Sequence, residues 1–429
     1  MKIVMMTNTY APHVGGVARS VQAFSGAFRQ RGHDVLIVCP QFEGAPDHEQ
    51  GVLRVPAIQN FNGSDFSVVL TMPRSLRLAV EAFAPDIIHS HHPFLLGSTA
   101  VRLARTLSCP LVFTHHTMYE QYTHYVPGDS PAMQRFVIHL STNYANLSDE
   151  VFAPSDSVAA ILRRRNVRVP IRVVPTGVNL AEYSQGSGSG FRQIMGIPDA
   201  AFLIGHVGRL AEEKNLAFLI DAVAAVLVAE PAAHFLIAGE GPAGDALRAR
   251  LEAAGVMERV HFAGVLGRRF LVSAYRAMDV FAFASLSETQ GMVVSEAMAA
   301  GVPVVALDAP GVREVVHDQE NGRLLPPGGM EAFIAALREL ASMNWEQRAP
   351  LRLAARRTAE GLSLDRSADM ALEAYARLIG EPAADAREAA DEAWSRTLRL
   401  LRTEWDLLSG MADAAVARDE DGRENGTAP

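Results

Sequence analysis

Short apolar runs rich in β-branched residues recur along the chain, separated by longer stretches with helical periodicity. Ile3 to Thr7 is the first such run. After a loop containing Gly15-Gly16, Val17, Val21, Phe24 and Phe28 fall at the spacing of one buried helical stripe. Gly32 fits a helix end, and Asp34–Cys39 is the next strand. Ile87–His89, Leu111–Thr114, Val151–Ala153 and Arg172–Val174 continue the series, with a helix near Thr99–Leu107. Near-continuous apolar strands separated by helices predict a parallel, doubly wound sheet.

The pattern breaks at Tyr183–Gly190, where Ser184-Gln185-Gly186-Ser187-Gly188-Ser189-Gly190 predicts a flexible linker. A second α/β series follows, with strands at Phe202–Val207, Phe235–Ala238, Val260–Phe262, Val280–Phe283 and Val302–Ala306. Two such sheets predict a central cleft, because open α/β sheets bind ligands at the carboxyl ends of their strands. No internal repeat is evident. Beyond about Glu381, Trp394, Leu398, Leu401, Trp405 and Leu408 form a narrow stripe that Arg396, Arg399 and Arg402 avoid, an amphipathic helix. It reads as packing on its own domain, as self-association into a homo-oligomer, or as membrane contact. Arg418–Pro429 is polar enough to be disordered.

Composition narrows the class. With 429 residues, 49% of them hydrophobic, the chain supports two cores rather than one. A formal net charge of −9 argues against nucleic acid as a partner. Two cysteines, Cys39 and Cys109, give no disulfide framework and suit a reducing cytoplasm. The apolar run at Met1–Met6 is too short for a signal peptide, and no stretch reaches the ~18–20 apolar residues of a spanning helix. The expected location is cytoplasmic, with peripheral attachment to the inner face of the plasma membrane left open.

The chemistry concentrates in Glu288-Thr289-Gln290-Gly291-Met292-Val293-Val294-Ser295-Glu296, at the start of an expected helix. Gly291 and the amides of Met292 and Val293 suit a diphosphate, through unpaired N–H groups and the helix dipole. Glu296 suits ribose hydroxyls and Glu288 sugar hydroxyls. The competing reading is an acidic first turn beside an unrelated surface glutamate. Gly208-Arg209 and Lys214-Asn215 follow the first strand of the second series. Arg209 and Lys214 there would stabilise the charge that develops on a pyrophosphate leaving group without a metal; otherwise they are a solvated loop. Gly15-Gly16 permits close approach to a ligand, but it is not the G-x-G-x-x-G of a dehydrogenase. His89, His91, His92, His115, His116 and His124 cluster in sequence without a helical metal spacing. Adjacent strand residues such as His115 and His116 face opposite ways, so no metal site is expected.

Together these motifs resemble the family-4 retaining glycosyltransferases of GT-B architecture, over about residues 1–380. The resemblance implies two Rossmann-like doubly wound domains facing a cleft. Residues 1–180 would be the acceptor side and 181–360 the nucleotide-sugar side. Residues 361–380 would cross back to the first domain, 381–417 would form a helical extension, and 418–429 a disordered tail. It implies that Gly16 approaches donor phosphate or acceptor, that Arg209 and Lys214 bind the diphosphate, and that Val265 meets the base through its backbone. Glu296 would bind ribose, Glu288 the transferred sugar, and His116 would sit near the sugar O6.

The family usually has Phe where this chain has Gln290. Glu288-Thr289-Gln290-Gly291-Met292 and the run Thr114–Val126 are similar instead to bacterial diacylglycerol α-glucosyltransferases. That similarity implies a lipid acceptor and no cofactor beyond a nucleotide-sugar donor, UDP-glucose being favoured over a GDP-sugar. Pro93–Gly97 as an apolar loop, with Arg163, Arg164, Arg165, Arg168 and Arg172 as a basic cluster, suits an anionic membrane surface. The rivals are a GDP-mannose-dependent transferase acting on a glycan or inositol lipid, a nucleotide-sugar epimerase, and a non-catalytic nucleotide-sugar scaffold.

Overall fold

The computed structural model describes residues 1–13, 15–46, 48–57, 74–121 and 130–380, together with Trp394. The amphipathic stripe, apart from Trp394, lies outside the described residues, as do the polar tail and His124.

The strands are β1 (Lys2–Met6), β2 (Asp34–Pro40), β3 (Val52–Val55), β4 (Ile87–Ser90), β5 (Leu111–Thr114), β6 (Glu150–Ala153) and β7 (Ile171–Val173) in the first half. In the second half they are β8 (Phe202–Val207), β9 (Ala233–Ala238), β10 (Val260–Gly264), β11 (Val280–Phe283), β12 (Val304–Leu307) and β13 (Gly322–Leu325). The first sheet runs β3-β2-β1-β4-β5-β6-β7 and the second β10-β9-β8-β11-β12-β13. Every pair within them is parallel. Both orders reverse direction after their first strand, so each sheet has a switch point: between β1 and β4, and between β8 and β11. At such points successive connections run to opposite faces of the sheet, and open α/β sheets bind ligands at the carboxyl ends of the strands there.

Helices cover both faces of each sheet, which buries every residue of β4, β5, β6, β8, β11 and β12. The stripe on the helix Gly16–Gln30 behaves as its spacing predicts, with Val21, Phe24 and Phe28 buried against β1 and β2. The helix Leu364–Gly380 packs beside it, and Phe28 meets Tyr375 edge-on at 5.7 Å. The chain therefore begins and ends its described helices on the same half. Its two crossings between the halves touch each other: Val178 N donates to Leu362 O, and Leu364 N to Val178 O. At Gly177 a Cβ would lie 2.3 Å from Leu364 Cα, so only glycine allows this approach.

The expected flexible linker is not one. Residues Leu180–Ser184 and Gly188–Met195 form two short helices, with Ser187 Oγ capping the second by accepting from Gly190 N. Its glycines serve contact rather than mobility. A Cβ at Gly188 would lie 2.4 Å from Arg276 O, and one at Gly186 would meet Val272. The apolar loop at Pro93–Gly97 is corrected likewise. Leu96 and Gly97 are buried at the start of the helix Leu96–Thr106, and Phe94 lies edge-on to Tyr119. Pro93 is buried as well, and Phe94 and Leu95 are half-buried, so the loop presents far less apolar surface than its composition suggests.

Candidate active site

The two loops of the second switch point are tied together. After β8 the chain makes a tight turn at Glu212–Lys214, and Asn215, at φ 53°, turns it into the helix Leu216–Ala229. Asn215 Nδ2 donates to Ala284 O at 3.1 Å, and Ser287 Oγ to Glu213 O at 3.0 Å, both across to the loop after β11. These bonds bring Lys214 Nζ to 2.7 Å from Glu288 Oε1, both side chains mostly buried. Arg209 stands on the same loop, half-exposed, and pairs with the buried Glu213 at 2.5 Å.

Directly after Glu288 the chain enters the helix Met292–Ala299 through Gly291, whose φ of 66° lies in the left-handed region. A side chain there would be strained. Among the described residues no side chain caps this terminus, so the amides of Met292 and Val293 keep their donor capacity a few residues after Glu288, the partner of Lys214. A lysine, an arginine and a helix amino end thus gather at one switch point, a place suited to an anion.

Glu296, one turn further in, is almost fully buried. Its Oε1 accepts from Arg268 at 3.0 Å and its Oε2 from Tyr275 Oη at 2.9 Å, while Arg19 approaches Oε2 at 3.6 Å. Arg19 belongs to the helix that starts at Gly16, so this carboxylate links the two halves. A Cβ at Gly16 would meet nothing within 4 Å, which leaves its backbone accessible. Val265 follows β10 and is 60% exposed. Beside it a cleft lined by Gly239, Glu240, Gly241, Arg248 and Phe262–Gly264 opens at the carboxyl ends of β9 and β10.

From the first half, His116 reaches the same segment. Its carbonyl accepts from Thr289 Oγ1 at 2.7 Å, and its Nε2 lies 2.9 Å from His91 Nδ1. Burial lowers the His116 pKa to about 3, so the ring is neutral at physiological pH. The His91 ring lies tilted against that of His89, which meets Thr114 Oγ1 and Tyr375 Oη at 2.7 and 2.6 Å. His115 points elsewhere, edge-on to Phe113 and Tyr119. Among the described residues no three His, Cys, Asp or Glu side chains are arranged to hold a metal ion. In the basic cluster, Arg165 pairs with Glu120 and Arg172 with Glu150. Arg163, Arg164 and Arg168 remain exposed.

Several contributors carry no local motif. Gln290 is buried and grips the Thr176 backbone in both directions, accepting from its N–H at 2.7 Å and donating to its carbonyl at 2.6 Å. Thr176 Oγ1 meets Ser20 Oγ at 2.7 Å, and Ser155 Oγ donates to Thr289 O at 2.7 Å. Only the departure of Gln290 from the family pattern pointed to it. Thr176, Ser155, Arg19, Arg268 and Tyr275 gave no signal in the chain.

Comparison with known proteins bears on this geometry. A model described as Glycosyltransferase Family 4 matches residues 14–182, and one described as Glycosyl transferases group 1 matches residues 201–343. An alpha-monoglucosyldiacylglycerol synthase of Streptococcus pneumoniae is 31% identical over 337 residues, 76% of this chain and 75% of that protein. The chain is a family-4 glycosyltransferase. This glycosyltransferase is also 29% identical over 371 residues to a GDP-mannose-dependent alpha-mannosyltransferase of Mycobacterium tuberculosis, covering 85% of this chain and 93% of that one. Anabaena HepE, solved in complex with UDP, shares its GT-B fold. The TM-score is 0.71 at 21% identity, over 88% of this chain and all of that one. The two model matches fall on the two sheets of the glycosyltransferase; the first begins after β1, and the loops after β4, β8 and β11 lie within them.

Proposed function

We propose that this glycosyltransferase moves glucose from UDP-glucose to a hydroxyl of a diacylglycerol-type lipid, with retention at the anomeric carbon. The observation that carries the donor half is the 2.7 Å contact of Lys214 with Glu288 beside the uncapped helix at Met292. The donor diphosphate lies against Arg209, Lys214 and the amides of Met292 and Val293, and the base lies by the backbone of Val265. Glu296 takes ribose hydroxyls, Glu288 a sugar hydroxyl, and the neutral His116 a hydrogen bond to the sugar.

The acceptor oxygen bonds to the anomeric carbon on the face from which the phosphate oxygen departs, and the acceptor proton passes to that phosphate oxygen. Charge grows on the diphosphate as its bond to carbon breaks. Lys214 and the helix amides therefore bind the transition state more tightly than the ground state. The low pKa of His116 keeps it from adding a positive charge beside the sugar. The neutral ring serves as a hydrogen-bond partner rather than an acid.

The acceptor half rests on similarity to the pneumococcal protein and on the Glu288–Met292 segment. Attachment to the membrane is peripheral in this proposal, since among the described residues no helix is long and apolar enough to cross a bilayer. A mannosyl transfer from GDP-mannose is the second reading, favoured by the M. tuberculosis relative. A screen of radiolabelled UDP-glucose, UDP-galactose and GDP-mannose against diacylglycerol vesicles and soluble sugars separates them. Label in the lipid phase from UDP-glucose is expected; label from GDP-mannose alone would refute the glucose assignment.

A further inference from the structure

At the opposite, amino-terminal edge of the second sheet, four arginines crowd around one carboxylate. Asp279 precedes β11, and its Oδ2 takes Arg192 Nη2 at 2.7 Å while its Oδ1 lies 3.4 Å from Arg348 Nη2. Arg192 is saturated, donating to the carbonyls of Ala277, Pro198, Asp199 and Ala201 besides Asp279. Arg348 donates to the carbonyls of Leu340 and Met343. These two hold the local fold together.

The other two are not provided for. Arg276, near the end of the helix Arg268–Ala277, donates one Nη1 bond to Tyr183 O, and its buried Nε has no acceptor among the described residues. Arg352, on the helix Trp345–Gly361, stacks on Trp345 at 5.1 Å. It makes no hydrogen bond or ion pair within the described residues. Burial lowers its pKa; Asp279 opposes that shift, and Arg356, Arg348 and Arg276 add to it. Arg276, Arg352 and Trp345 line one open pocket with Gly188, Ser189 and Asp279. Gly188 and Ser189 open the helix Gly188–Met195, so its first amides lie at that pocket as well.

Guanidinium groups partly drawn out of water with too few acceptors are costly, and like charges beside them raise the cost. A small oxyanion relieves both, because several oxygens can meet forked N–H donors and helix amides at once. We propose that this pocket is an anion site for a phosphate monoester, held by Arg276, Arg352 and the amides of Gly188 and Ser189. It is separate from the donor cleft, which lies at the carboxyl edge of the same sheet. A ligand here reaches the cleft through β11, which joins Asp279 to the loop that carries Glu288.

The test is thermal unfolding of the full chain in inorganic phosphate and in glycerol phosphate, against sodium chloride of matched ionic strength. The wild type is expected to gain a few degrees in Tm over chloride, as a ligand bound only by the native state requires. Arg352→Met is expected to raise Tm in chloride, by relieving the crowding, and to abolish the phosphate-dependent gain. Arg352→Lys, which keeps the charge but not the fork, retains part of that gain. A gain unchanged in Arg352→Met places the anion elsewhere, the donor cleft included, and overturns the proposal. So does the absence of any wild-type gain over chloride, unless phosphatidic acid vesicles retain the wild type and not Arg352→Met. That last outcome identifies the monoester as a lipid headgroup rather than a free one.

Discussion

The side chain of Gln290 and the backbone of Thr176 are bonded in both directions, at 2.7 and 2.6 Å, where the two halves of the glycosyltransferase meet. The neighbouring residue, Thr289, is bonded to His116 of the first half and to Ser155. The segment carrying Glu288 and Gly291 is thus positioned by the partner domain as well as by its own.

Replacing Gln290 by Ala leaves the Thr176 N–H and carbonyl buried without partners. Each unsatisfied group costs about 1–3 kcal/mol, so a loss of roughly 2–6 kcal/mol in unfolding free energy is expected. The donor KM and kcat should worsen together, since Glu288 and His116 lose their common register. Urea unfolding beside steady-state kinetics checks this; wild-type stability in the variant would show that the clamp contributes nothing.

Acid should unfold this protein early. His92, His115 and His116 are pushed down to about 3, and His206 to about 4, in each case mainly by burial. A histidine with a lowered folded pKa binds more protons unfolded, near 6.5, than folded. Its stabilising contribution is full above that value and is lost as pH falls towards 3. His115 is the clearest probe, because both its ring nitrogens are buried without partners among the described residues. His115→Phe should flatten the acid limb and stand about 2 kcal/mol above the wild type at pH 5, relative to their difference at pH 8. Parallel stability curves from pH 5 to 8 would contradict the assignment.

Glu296 ties Arg19 of the first half to Arg268 and Tyr275 of the second. Glu296→Gln removes the buried charge that these cations face, at a cost of about 3–5 kcal/mol if nothing rearranges. With the proposed ribose contact also lost, donor KM should rise by roughly tenfold, equivalent to about 1.4 kcal/mol. Titration calorimetry with UDP distinguishes the effects: unaltered UDP affinity would remove Glu296 from the nucleotide site.

Much of the architecture is legible in the chain because most strands are buried on both faces and read as unbroken apolar runs. β3 and β13 escaped that reading. Both are four-residue edge strands carrying an arginine, Arg54 and Arg323, so neither makes such a run. The Ser-Gly segment at 184–190 misled for the opposite reason. Its glycines answer a packing demand from Val272 and Arg276 that local composition does not contain. The same limit applies to the site. Glu288, Lys214 and Gly291 lie in compact motifs. Thr176 reaches Gln290 across 114 positions of chain and Ser20 across 156, separations at which no local spacing rule operates.

The central claim is that Lys214, with Arg209 and the helix amides at Met292 and Val293, neutralises a departing diphosphate. Single-turnover kinetics of Lys214→Ala with saturating donor tests it most directly, with circular dichroism confirming the fold. The account predicts a fall in the chemical rate of about 10²–10³-fold, roughly 3–4 kcal/mol of barrier. A rate within a factor of about two of the wild type, with the donor fully bound, would contradict it.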